Sequence, residues 1–94
     1  MIVSYRDKRT REFAAGKRVK AFSGFERSAR LKLDRMEAAT SLRDLAALPG
    51  NRFKALVGDR KEQFSIRIND QWRICFDWAD RAPGPSSVET DDYH

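Results

Sequence analysis

The residues of this chain best suited to chemistry are Lys54, Arg60, Arg67, Arg73 and a terminal Asp92-Tyr93-His94. Together they suit RNA cleavage. Cleavage without a metal requires a base for the 2′-hydroxyl proton, an acid for the departing 5′ oxygen, and fixed cations around a phosphate that gains charge in the transition state. Arg67 and Arg73 carry planar forks that match phosphate geometry. If the chain ends in a strand, Asp92 and His94 share one side and Tyr93 takes the other, so Asp92 can orient His94 while Tyr93 stacks or packs. The same set also serves a module that only binds nucleic acid, and the chemistry alone does not choose between the two. Each member has a plain structural reading as well. A histidine beside its own α-carboxylate is a common solvated end, the arginines suit solvent-facing strand positions, and Trp72 and Trp78 suit core or sheet-end packing.

The element that must hold Arg67 and Arg73 is a β-hairpin over Gln63 to Trp78. Phe64, Ile66 and Ile68 alternate with polar residues on one strand, and Trp72, Ile74, Phe76 and Trp78 alternate on the next. A two-residue Asn69-Asp70 loop would pair Ile68 with Gln71 and Ile66 with Arg73, mixing apolar and charged residues on one face. A three-residue loop, Asn69-Asp70-Gln71, pairs Ile68 with Trp72, Ile66 with Ile74 and Phe64 with Phe76. That register makes the apolar face continuous and sets Arg67 directly across from Arg73. Like charges so placed repel, and an anion between them would relieve the repulsion.

The remaining elements follow in order. Met1 to Tyr5 is expected to form a short edge strand. Asp7 to Ala15 reads as a short helix stopped by Gly16, with Phe13 and Ala14 docking on the sheet. A basic connector, Lys17 to Phe22, leads to the main helix, which is expected from an N-cap at Ser23 to Ala39 with Glu26 completing a capping box. Phe25, Ala29, Leu33 and Met36 lie on one stripe of that helix, and Arg27, Arg30, Lys32 and Arg35 are assigned to its opposite side, as a solvated face in the first place and an RNA or protein contact in the second. Ser41 with Asp44 caps a further short helix through Leu48, stopped by Pro49-Gly50. Arg52 to Leu56 reads as a strand that turns through Gly58-Asp59-Arg60-Lys61-Glu62 into the hairpin. Asp80 to Ser87 is a loop holding two of the three prolines, and Val88 to His94 is a last strand.

This order implies an α+β fold in which N-terminal helices pack on one face of a small, mostly antiparallel twisted sheet. The other face is left polar and available. With 94 residues, residues 1–94 are expected to form one domain around one core. No apolar run approaches a membrane span, and no secretory signal is expected at the N-terminus. A lone Cys75 cannot form an internal disulfide, which suits a cytoplasmic location. No paired cysteines, second histidine, phosphate-cradling glycine loop or Gly-x-Ser-x-Gly elbow is present, so neither a metal nor a cofactor is expected. The net charge is +5, and residues 1–35 hold eleven Lys or Arg against four acids, whereas residues 79–94 hold one Arg against four acids. Such a basic front half attracts a polyanion or an acidic protein, or serves as a solvated face.

The segment Leu56-Val57-Gly58-Asp59-Arg60, the hairpin run from Phe64 to Phe76 and the closing Asp92-Tyr93-His94 together resemble the HigB-type toxins of the RelE/ParE superfamily, over nearly the whole chain. The resemblance implies a toxin of a type II toxin-antitoxin system that enters the ribosomal A site and cleaves translated mRNA without a metal. It implies neutralisation by a HigA-type helix-turn-helix antitoxin, with operator DNA bound only through the complex with that partner. Mapped on this chain, it implies that Arg73 stabilises the scissile phosphate, that Asp92 and His94 serve acid/base and orienting roles, that Tyr93 supports the site, and that Lys54, Arg60 and Arg67 contact RNA. One departure stands out: Val57 occupies a position where some HigB members carry lysine. ParE-like relatives of the same fold poison DNA gyrase instead, which leaves a second class of function open.

Overall fold

A computed structural model of the chain describes residues 1–56 and 63–92. The expected turn at 58–62 and the last two residues lie outside them. Three α-helices come first, α1 over Lys8–Ala14, α2 over Glu26–Ala38 and α3 over Leu42–Ala46. Four strands follow, β1 over Lys54–Ala55, β2 over Gln63–Arg67, β3 over Trp72–Asp77 and β4 over Ser86–Asp92. They form one antiparallel sheet in the order β1-β2-β3-β4. The α+β architecture expected from the element order is the one observed.

The hairpin has the register its hydrophobic pattern demands. Phe64 pairs with Phe76, Ile66 with Ile74 and Arg67 with Arg73, and the Ile68 N–H donates to the Trp72 carbonyl at 2.9 Å. The turn is tied locally. The Asn69 side-chain oxygen accepts from the backbone N–H groups of Gln71 at 2.9 Å and Trp72 at 2.8 Å, the hydrogen-bonded turn that asparagine favours.

Ile66, Ile74, Phe76 and Val88 from the sheet meet Phe13, Phe22, Ala29, Leu33 and Met36 from the helical layer, all buried. Aromatic rings lock one end of this core. Phe22 lies edge-on to Phe13 at 5.4 Å and to Trp72 at 5.9 Å, and Phe25 lies 5.1 Å from Trp72. Trp72 is therefore a packing residue. A second bond system joins α1 to β4: the Thr10 hydroxyl donates to the Thr90 hydroxyl and accepts the Thr90 backbone N–H, each at 3.0 Å. Both residues are buried.

Several boundaries differ from the sequence expectation. Ser23 does not cap α2, because Lys20–Phe25 forms a 3₁₀ helix that runs directly into it. The preceding turn then supplies the carbonyls that a side-chain cap would otherwise replace. Ser41 does cap α3, accepting from the Asp44 N–H, while the Asp44 carboxylate accepts from the N–H and hydroxyl of Thr40. Those bonds hold its pKa below the ordinary carboxylate value. The N-terminal strand reduces to one parallel bridge from Tyr5 to Val88, flanked by bonds from the Val88 N–H to the Ser4 carbonyl and from the Arg6 N–H to the Val88 carbonyl. β4 begins two residues earlier than expected, at Ser86, where Ser87 takes φ 51° beside an irregularity in the β3–β4 ladder.

Candidate functional site

Pairing and alternation divide the sheet into two chemically different faces. Residues that pair across strands lie on the same face. Ile66, Ile74, Trp72, Thr90 and Asp92 thus point to the helices, whereas Lys54, Ser65, Arg67, Arg73, Cys75, Glu89 and Asp91 point away from them. This second face is the candidate site. It is polar without being open throughout, since Ser65 and Cys75 are buried while Arg67 and Arg73 are half-buried.

The facing arginines do not meet head to head. Arg67 forms an ion pair with Asp70 in the hairpin turn. Arg73 bends towards the β1 edge, where its Nε donates to Ser65 Oγ at 2.9 Å and one terminal nitrogen donates to the Arg52 carbonyl at 2.9 Å. Each guanidinium is drawn to a different partner, so the repulsion expected from the register is relieved within the protein. A phosphate is compatible with the pair but is not needed to separate them.

Two acids distinguish themselves at the end of β4. Asp91 is the cross-strand partner of Arg73, and Asp92 is the partner of Trp72. Asp92 consequently lies on the helix side of the sheet end, where its carboxylate accepts from the Gln71 side-chain amide at 3.2 Å. Among the expected site residues, the structure gathers Lys54, Arg67 and Arg73 on one face and sets Asp92 at the rim. Arg60, Tyr93 and His94 lie outside the described residues.

Sequence reasoning missed Asp91. The β3–β4 connection is a long proline-containing loop, so the pairing of the two strands cannot be counted from a tight turn, as it can for the hairpin. Nor did sequence reasoning show that Cys75, Glu89 and Asp91 come together, because they lie on two strands. Cys75, Glu89 and Asp91 each bring a potential metal-ligating atom within 4.8 Å of the others. The ladder explains this proximity, since Cys75 pairs with Glu89 and Asp91 is the next residue on that face. Glu89 also lies 3.8 Å from the Arg6 guanidinium.

The position of Lys32 also corrects expectation. Assigned to the solvated side of α2, it is 7% exposed, and its ammonium donates to Asn51 Oδ1 at 2.7 Å. Asn51 is fully buried and donates its amide to the Leu45 carbonyl at 3.0 Å. Burial, and after it the nearby charges of Arg35 and Arg67, pushes the Lys32 pKa down. Arg30, from the same expected set, is half-buried with its guanidinium 4.2 Å from the Phe13 ring centroid. Four basic residues in a helical repeat do not by themselves distinguish a solvated face from one whose members reach back into the core.

A four-stranded antiparallel sheet with a helical layer on one side is the α+β arrangement of RelE-like proteins, and residues 3–91 match the family described as RelE-like toxin of type II toxin-antitoxin system HigB. The chain belongs to this HigB-like toxin family. It is also 43% identical over 58 residues to Toxin HigB-1 of Vibrio cholerae serotype O1, an alignment covering 62% of this chain and 61% of that relative. Among the described residues, no helix is long and apolar enough to cross a membrane.

Proposed function

We propose that this chain is a ribosome-dependent endoribonuclease that cleaves translated mRNA and so inhibits translation and growth. Membership of the HigB-like toxin family supports the reading, and the observation that carries it is the anchoring of Arg73. Two hydrogen bonds to the oxygens of Ser65 and Arg52 orient its guanidinium before any substrate arrives. A fixed cation of this kind stabilises a phosphate that gains charge in the transition state without reorganising during the reaction.

In this reading Arg73 stabilises the scissile phosphate while Lys54, Arg60 and Arg67 hold the RNA backbone. Asp92 and His94 share the acid/base and orienting work, and Tyr93 supports them. The chemistry uses side chains alone and needs no metal. The protein acts in the cytoplasm, enters the ribosomal A site, and is neutralised by a HigA-type helix-turn-helix antitoxin, through which the pair reaches operator DNA.

Primer extension on translated mRNA after induction tests the activity. New 5′ ends should appear, and Arg73→Ala should slow their formation by about 10²–10³-fold, the usual cost of losing a preorganised charge-stabilising donor. Deleting His94 should abolish them. Cys75→Ser should leave cleavage intact, whereas its loss would shift the chemistry to an ion held by Cys75, Glu89 and Asp91. Intact mRNA with accumulating double-strand DNA breaks would replace the nuclease reading with gyrase poisoning.

A further inference from the structure

Lys32 is buried at a cost that its own contacts do not explain. A buried ammonium loses hydration that one neutral amide only partly replaces, and an apolar side chain of similar length would occupy the same space without that loss. What Lys32 holds is Asn51, and Asn51 precedes an unusual residue. Arg52 has φ 44°, in the left-handed region that non-glycine residues enter only when their surroundings impose it. The carbonyl of this residue is the one that accepts from Arg73.

We propose that Lys32 is a positioning residue for Arg73, acting through Asn51 and the left-handed backbone at Arg52. The proposal rests on the reading of Arg73 as the phosphate-stabilising group. Lys32 fixes the Asn51 oxygen from α2, and Asn51 fixes the Leu45 carbonyl at the end of α3. The residue before Arg52 is thereby tied at both ends of its side-chain amide. With that anchor in place, Arg52 is held in its strained conformation and its carbonyl faces the sheet. Arg73 donates from Nε to Ser65 and from a terminal nitrogen to the Arg52 carbonyl, and two bonds at different edges of a planar guanidinium orient its plane. A small misplacement of such a group has a large effect on rate.

Single-turnover cleavage of a defined mRNA on programmed ribosomes tests this, using Lys32→Met in the unaltered chain and in Arg73→Ala. Lys32→Met should slow cleavage about tenfold with ribosome affinity unchanged, and should slow Arg73→Ala no further, because coupled residues are not additive. A second pair of variants does not depend on how well Lys32→Met folds. Arg52→Gly and Arg52→Val both remove the side-chain charge, but glycine adopts positive φ readily and valine resists it. Arg52→Gly should therefore cleave about tenfold faster than Arg52→Val. Equal rates for these two, or an equal loss from Lys32→Met in both backgrounds, would overturn the positioning role while leaving Arg73 in place. Arg73→Ala cleaving at the unaltered rate would overturn the reading of Arg73 itself, and the role of Lys32 with it.

Discussion

Arg67 and Arg73 are direct partners across the β2–β3 ladder, yet their guanidinium groups turn to opposite ends of the hairpin. Asp70 takes Arg67 at the turn, while Ser65 and Arg52 take Arg73 at the sheet edge. The same register that hides Ile66 against Ile74 produces this juxtaposition, because alternation cannot bury one pair without aligning the next. The hairpin thus couples core packing to the spacing of two cations on the candidate site.

Removing the turn carboxylate should expose the cost of that spacing. Asp70→Ala leaves Arg67 without its ion-pair partner, and the facing charges then oppose hairpin closure. Because Asp70 is exposed, the expected loss is small, about 0.5 kcal/mol at low ionic strength, and added salt should shrink it. Adding Arg67→Gln should recover most of the loss, since it removes the repulsion itself. Urea midpoints of the three variants at two salt concentrations measure both effects.

Thr10→Val should be more damaging than its near-equal volume suggests. The Thr10 hydroxyl accepts the Thr90 N–H and donates to the Thr90 hydroxyl in a buried setting. Valine would leave that N–H without its acceptor, at an expected cost of about 1–3 kcal/mol. Urea unfolding of the single variant and of Thr10→Ser, which keeps the oxygen, separates the bond from the packing.

The hairpin register was readable because a period-2 pattern on both strands and a short turn leave only one pairing that keeps the apolar face whole. Lys32 was not readable, because its burial depends on Asn51, nineteen residues away, and helical periodicity carries no information about such a partner. Asp91 was hidden for a related reason. It stands opposite Arg73 only because of where β4 docks, and the proline-containing loop between Asp77 and Ser86 is too long to count across. Ser23 misled in the other direction: it satisfied a capping pattern, but the 3₁₀ helix beginning at Lys20 had already supplied what a cap provides.

Phe22 is the residue on which the aromatic end of the core depends. It is 1% exposed and touches the rings of Phe13, Phe25 and Trp72. Phe22→Ala should cost about 3–5 kcal/mol through lost burial and the cavity left behind. Phe22→Leu should cost less, because it keeps most of the volume. Since Trp72 packs on the same ring, its fluorescence should shift in the folded state of Phe22→Ala, which ties the measured destabilisation to this cluster and not to a distant change.

Lys32 should make the stability of the protein rise at alkaline pH. Its folded-state pKa is pushed down, first by burial and then by Arg35 and Arg67, whereas in the unfolded chain it returns to about 10.4. Between those two values the unfolded state binds more protons than the folded one, and stability increases with pH wherever that holds. The penalty for the buried ammonium is therefore full below the depressed folded-state pKa and fades as pH climbs towards the unfolded value. Lys32→Met carries no such group, so its stability relative to the unaltered chain should be greatest near neutral pH and decline towards pH 10. Urea unfolding of both proteins at neutral and alkaline pH measures the difference. A difference that stayed flat across that range would show that the lysine is not the group responsible.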